Sequence, residues 1–332
     1  LQLETDLGVA SFAQGRDGRI YVVGYSRKGI GGVYEIVAND AGPSTFPEKL
    51  TETGCVDPDD PKLPGEGVVP YEIQVELWSD GAEKERFVAL PDDRRIDLSP
   101  TGDFHFPPGA VLMKHFKYEG RYHETRLLML HENGDWAGYS YEWNDEQTDA
   151  TLLGVGKTVE LPGGQEWRYP TRGQCIRCHG EQSLRVLGPE VIQLQHPLPD
   201  DETTTHLESW FGQGFFVPGF ESVESLPAVD APSLVDAFGP ASLEDRSKAY
   251  LHANCANCHQ PGAIGQGVID LRWETPLADM ALCGVEPDNG TMWLGNDPLL
   301  LVPGDPERSL LYLRMKTLNK FLMPDIGSHL VH

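Results

Sequence analysis

The sequence predicts an α+β multidomain protein in which an antiparallel, sandwich-like β-rich domain is joined to two mainly α-helical modules. Three observations predict it. Apolar and polar residues alternate over several short stretches of the first half, with turn residues between them. Two stretches rich in Pro interrupt the 332 residues, a length that suits two or three domains. The pattern C-x-x-C-H occurs twice in the second half, as Cys175-Ile176-Arg177-Cys178-His179 and as Cys255-Ala256-Asn257-Cys258-His259.

The repeated pattern carries the chemistry. Two cysteines three positions apart share one side of a helical turn, so both thiols reach one porphyrin edge, and the adjoining histidine can turn its ring beneath the iron. Each box therefore reads as a covalent haem c site, with thioether links to Cys175 and Cys178 in one and to Cys255 and Cys258 in the other, and with His179 and His259 as axial ligands. Two alternatives stand beside this reading. Two C-x-x-C pairs could form a four-thiolate zinc site, but these lie much farther apart than the usual spacing, and each has a histidine directly behind it. A redox dithiol of the thioredoxin kind would not be expected twice with that histidine.

Taken in order, residues 1–40 read as short strands around an Asp17-Gly18 hairpin signal, with segments at 9–13, 20–24 and 32–37. Residues 41–69 form a linker rich in Pro, Gly and Asp. Within it Asp57, Asp59 and Asp60 lack the Gly and distal Glu of a calcium loop, which favours a solvated acidic turn. Residues 70–161 are the antiparallel domain, with strand candidates at 85–90, 110–116, 124–131 and 136–143. Residues 162–220 hold the first haem module, in which short helical stretches such as 183–188, 191–195 and 205–211 enclose the group. A second linker spans 221–240. Ser242 with Asp245 then marks the start of a helix over 243–253 that runs into Cys255 and opens the C-terminal module, 241–332.

Several of these segments carry resemblances. Residues 1–40 resemble the closing blade of a sugar dehydrogenase-like β-propeller, the alternative being a small sheet that packs on the rest. The run Val302-Pro-Gly-Asp-Pro-Glu-Arg-Ser-Leu-Leu-Tyr-Leu-Arg314 followed by Leu322-Met323-Pro324 resembles small class I-like cytochrome c domains of bacterial multidomain proteins. That resemblance implies Met323 as the sixth ligand of the second haem, ahead of Met315. The order Pro70-Tyr71, Leu77-Trp-Ser-Asp-Gly-Ala82, Lys84, Arg86, Glu124-Thr-Arg-Leu-Leu128, Gly138-Tyr-Ser-Tyr-Glu-Trp-Asn144 and two C-x-x-C-H boxes resembles a family of exported bacterial dihaem c-type cytochromes, whose members often follow a glucose/sorbosone dehydrogenase-like propeller.

The remaining residues refine the expectation. Arg172, Arg177 and Arg272 are candidate propionate contacts, since guanidinium forks suit carboxylates. Cys55 and Cys283 are the two of six cysteines outside the boxes, and in an oxidising compartment they would form a disulfide, the alternative being two buried thiols. The sixth ligand of the first haem is open among His105, Met113, His115, His123, Met129, His131, His196 and His206, or the iron is five-coordinate. A net charge of −25 argues against nucleic acid and anionic lipid as partners. No run of 18 apolar residues is present, so no transmembrane segment is expected. Covalent haem implies export to the periplasm or beyond. The expected function is electron transfer from a dehydrogenase, such as a quinoprotein propeller, to a periplasmic or external redox partner. The alternative is a peroxidase-like dihaem enzyme with an open first haem.

Overall fold

Near-continuous burial along three successive strands builds the centre of the protein, because both faces of their sheet are covered. The structure, a computed structural model, describes residues 8–25, 31–37, 46–179, 186–220, 222–227, 230, 232–263, 265, 267–288, 290, 294, 296–325 and 328–332. The chain divides into two compact units, residues 1–47 and 48–332. The first contains β1 (Gly8–Gln14), β2 (Ile20–Tyr25) and β3 (Gly31–Ile36) in one antiparallel sheet, with β2 in the middle. Residues 1–7, 26–30 and 38–40 of the blade-like segment lie outside the described residues.

The second unit is organised around a six-stranded antiparallel sheet. Its strands are β4 (Val69–Tyr71), β5 (Glu83–Ala89), β8 (Val111–Tyr118), β9 (Arg121–Leu130), β10 (Trp136–Trp143) and β11 (Ala150–Leu152), in the order β11-β10-β9-β8-β5-β4. Pro70 sits on the edge strand β4, where a missing N–H costs no ladder bond. Three two-stranded ribbons complete the strands: β6 (Asp97–Leu98) with β7 (Phe104–His105), β12 (Lys157–Glu160) with β13 (Glu166–Tyr169), and β14 (Pro197–Leu198) with β15 (Asp201–Thr205). Helices α1 (Arg172–His179), α2 (Val191–Leu194), α3 (His206–Gly212), α4 (Leu243–Asn254) and α5 (Leu310–Lys316) are short.

This corrects the expected fold class. Strands take 30% of the residues and helices 17%, and neither of the two mainly helical modules is seen. The longest helix, α4, has 12 residues, and beyond the second box Pro261, Gly262, Gly267, Pro276 and Pro287 break the chain into turns before α5. The β part is one six-stranded sheet; among the described residues no second large sheet faces it.

The expected modules share cores within residues 48–332. Val88, Leu112, Leu128 and Leu130 of the sheet pack with Val191, Leu194, Leu207, Trp210 and Phe216 from the segment around α2 and α3. Val75 and Ile192 pack with Ala249, Ala253 and Trp273. Residues 48–56, within the expected linker, run beside β11: Leu152 N–H donates to Glu48 O (2.9 Å), and Leu50 and Val56 are buried. Leu226, Leu234 and Ala237 of the second expected linker are also buried; residues 41–45, 183–185, 221, 228, 229 and 231 lie outside the described residues.

Candidate functional site

The first box is set by a capped helix docked on a strand. Thr171 Oγ1 accepts from Gln174 N–H (3.2 Å) while Gln174 Oε1 accepts from Thr171 N–H (2.9 Å), a reciprocal cap that starts α1 one turn before Cys175. α1 packs on β10 at Gly138, where a Cβ would stand 2.6 Å from the Cys175 Sγ. Only a residue without a side chain lets the cysteine approach this closely.

Strand register aligns the opposite wall. Tyr71, Arg86, Lys114, Arg126 and Ser140 are direct partners across β4, β5, β8, β9 and β10, so they form one row on one face. Neighbouring rows add Lys84 and Phe116, and Leu112 and Leu128. Together with His179, Glu190, Gln193, His252 and Asn257 these residues surround a cavity of about 100 Å³.

Three cations directly opposite one another repel, which a sheet tolerates only with compensation. Glu76 reaches Lys84 (3.0 Å) and Arg86 (2.6 Å), and Glu124 holds Arg126 at 2.8 Å through both oxygens. Lys114 has no hydrogen bond or ion pair among the described residues. Burial, then Arg86, Lys84 and Arg126, press its pKa well below the usual lysine value. Burial also takes Lys84 down to about 8. Burial, followed by Lys114 and Arg126, takes His179 down to about 3. The cavity thus carries an excess of positive charge along the row of Arg86, Lys114 and Arg126.

The second box follows α4, which Ser242 caps by accepting from Asp245 N–H (3.1 Å). Asn254, just before Cys255, accepts from Trp78 N–H (2.7 Å) and donates to Tyr250 O (3.0 Å). The segment before β5 thereby anchors this box too. Nearby, Asp80 Oδ1 accepts from the N–H groups of His329 (2.7 Å) and Leu330 (2.9 Å), and the Trp78 ring stacks on His332 at 4.0 Å. Met323 is half-buried, and its N–H donates to Arg314 O (3.0 Å). Two residues on, Asp325 pairs with Arg177 of the first box at 2.7 Å.

The two boxes therefore lie side by side. Burial and then the Cys258 thiol push Cys178 up to about 11; burial and Cys258 push Cys255 up to about 12. Cys175 and Cys258 are raised chiefly by burial as well. All four remain thiols at neutral pH, unlike a reactive dithiol, whose nucleophile is lowered. They do not gather into a metal-sized cluster either; among the described residues the group that does is Glu72, His196 and His206. His179 and His259 each leave a buried Nδ1 without a hydrogen-bond partner among the described residues.

Other expectations are redirected. Cys55 and Cys283 are not joined: Cys55 is buried beside Thr53, whereas Cys283 is exposed. Of the three candidate propionate contacts, Arg172 lies over the Tyr139 ring at 4.5 Å, Arg177 holds Asp325, and Arg272 holds Asp270 (2.6 Å) and Glu274 (3.2 Å). None of the three lines the cavity, whose cations are Lys84, Arg86, Lys114 and Arg126. Among the eight sixth-ligand candidates only Met113 lines it, and strand alternation sends that side chain to the face opposite Lys114. His115, two residues on, bonds Thr125 Oγ1 (2.6 Å), and His131 bonds the Tyr139 hydroxyl (2.9 Å). The signals missed in sequence were Thr171-x-x-Gln174, a capping box directly before the first cysteine, and the charge of Lys84, Arg86, Lys114 and Arg126, which acquires meaning only through register.

No protein-family model matches the chain, and searches of curated proteins and of solved structures found no similar protein.

Proposed function

We propose that the protein is an exported dihaem c-type cytochrome that relays electrons from a donor dehydrogenase to an external acceptor. The observation that carries this reading is that the two C-x-x-C-H boxes lie side by side, one of them opening through His179 onto a cavity walled by cations. Haem c, when bound, supplies a one-electron Fe(III)/Fe(II) couple. Each cysteine thiol would add across a vinyl group, sulfur to one carbon and the proton to the other, so that Cys175 and Cys178 hold one group and Cys255 and Cys258 the second. The orphaned imidazoles of His179 and His259 offer a nitrogen each. Lys114, with Arg86 and Arg126 beside it, would neutralise propionates at the first site, a better match than the three arginines already engaged elsewhere. Met323, held by Arg314 next to the second box, would offer a thioether as the opposing ligand there. The Arg177–Asp325 pair links the first box to the loop that carries Met323.

A second reading rests on Glu190 and His252. Both line the cavity, and His252 Nε2 donates to Glu190 Oε1 at 2.7 Å while its Nδ1 accepts from Trp273 N–H (2.9 Å). A buried acid/base pair facing an open site is what a peroxidase-like enzyme needs to move protons.

Optical and EPR spectra of the oxidised and reduced protein, with and without carbon monoxide and peroxide, separate the two. A relay gives low-spin signals indifferent to both ligands, and Met323→Ala then lowers one potential and opens that site to carbon monoxide. A high-spin fraction that binds carbon monoxide and reacts with peroxide in the unaltered protein favours the enzyme. A protein lacking covalent haem sinks both.

A further inference from the structure

Glu72, His196 and His206 meet at a point that the haem reading leaves unused. The β14–β15 ribbon pairs Pro197 with Thr205, so the residues just outside it face each other, and His206 N–H donates to His196 O (3.1 Å). The two rings lie 4.7 Å apart. Glu72 arrives from the end of β4, with its own N–H directed at His206 Nδ1 (3.5 Å). One ligand atom from each of the three lies within 4.8 Å of the others.

Two further observations point to a ligand. His196 Nδ1 is bonded to the Gln193 carbonyl (3.0 Å). A carbonyl only accepts, so the proton is on Nδ1 and the lone pair is on Nε2; this backbone bond is the support that ligating histidines use. Gln193 is itself fixed, because its side chain accepts from Val75 N–H (3.0 Å) and donates to Val75 O (3.1 Å). His206 is 3% exposed, yet its Nε2 has no hydrogen-bond partner among the described residues; binding a metal there puts the ring proton on Nδ1, in exchange for the long 3.5 Å contact from the Glu72 N–H. A buried nitrogen left unpaired costs stability unless something binds it.

We infer that Glu72, His196 and His206 form a site for one divalent transition-metal ion, zinc by the chemistry of its ligands. Two imidazoles and a carboxylate are a recurrent zinc set that leaves a fourth position for water. Zinc holds such ligands at about 2.0–2.2 Å, so the group must contract, and the exposed Glu72 side chain, which has no ion pair among the described residues, is free to swing inward. The ion would tie β4 to the ribbon ahead of α3, on the far side of the Tyr71 strand from the cavity.

The test uses the full chain, stripped with chelator and titrated with Zn²⁺ alone, and with Co²⁺ as a spectroscopic probe. One ion should bind per chain with micromolar or tighter affinity. The Co²⁺ spectrum should show tetrahedral ligand-field bands without the near-ultraviolet thiolate charge-transfer band that the cysteine boxes would give. Removing a supporting residue around a bound metal costs 10–100-fold in affinity, so His196→Ala or Glu72→Gln should cost at least about tenfold while the haem spectrum stays unchanged. His206→Gln is the second variant if His196→Ala fails to fold. No Zn²⁺ uptake, undiminished uptake in a folded His196→Ala or Glu72→Gln protein, or a thiolate band in the Co²⁺ spectrum overturns the site. The two uptake outcomes are independent of whether haem is attached.

Discussion

The two C-x-x-C-H boxes share a pattern and differ in almost everything around it. The first rides on a capped helix pressed against a sheet, with a cavity before His179 and an unpaired lysine across from it. The second follows a longer helix into a segment of turns, held by Asn254 at one end and by the loop carrying Met323 and Asp325 at the other. On the proposed reading the pentapeptide would specify attachment, and elements distant in sequence would decide what the attached group can do. A cavity with an acid/base pair and excess positive charge suits a site open to ligands, and a methionine loop suits a closed one.

The largest expected effect comes from removing one box at a time. Replacing Cys175 and Cys178 with Ala should halve the haem absorbance per chain and abolish any carbon monoxide-binding fraction. Replacing Cys255 and Cys258 should halve it while leaving that fraction intact. Mass spectrometry and carbon monoxide difference spectra read both, and identical behaviour of the two variants would dissolve the distinction.

Gly138→Val tests the docking of the first box alone. The added side chain overlaps the Cys175 sulfur, and overpacking of this kind costs about 1–3 kcal/mol. The melting temperature should fall and haem loading at the first box should drop, with the second box unaffected; the ratio of the two haems after proteolysis measures it.

Lys114→Met removes the unpaired cation from the row. An ammonium without a partner is costly to hold among apolar side chains, so the chain prepared without haem should melt higher with methionine in its place. In the loaded protein the same change removes a positive charge beside the first site, so one reduction potential should fall, by about 59 mV for each tenfold change in a one-electron equilibrium, and the other should stay.

The smallest effect is a dependence on pH. Burial first, with nearby charges, holds His179 down to about 3, and burial holds His206 and His115 down to about 4. In the unfolded chain a histidine takes up its proton near pH 6.5. Below that pH the unfolded state binds more protons than the folded one, so stability is complete above about pH 7 and declines as pH falls toward 4. Thermal melts of the haem-free chain between pH 8 and 5 should show the decline. Occupying His179 should shift its share of the slope without touching that of His115.

Much of this was readable in sequence where the signal is local. The strand segments at 85–90, 110–116, 124–131 and 136–143 fall on β5, β8, β9 and β10, and the Ser242 cap sits where its spacing with Asp245 puts it. The helical modules were misjudged because the pattern that marks a haem box requires one turn of helix, not a bundle, and the Pro and Gly residues after Cys258 prevent one. Lys84, Arg86, Lys114 and Arg126 were visible as charges, yet their convergence depends on a register spanning three strands. His196 and His206 looked like rivals for one iron; the ribbon between them turns both toward Glu72 instead.

Asp80 fixes the order in which this architecture can close. Its carboxylate gathers backbone groups 249 and 250 residues further along the chain, and contacts so remote in sequence cost the most chain entropy to form and are slow to arrive. The sheet, α1 and α4 are all built from nearer partners. Residues 329 and 330 thereby brace the segment that carries Ser79 and Lys84, both of which line the cavity.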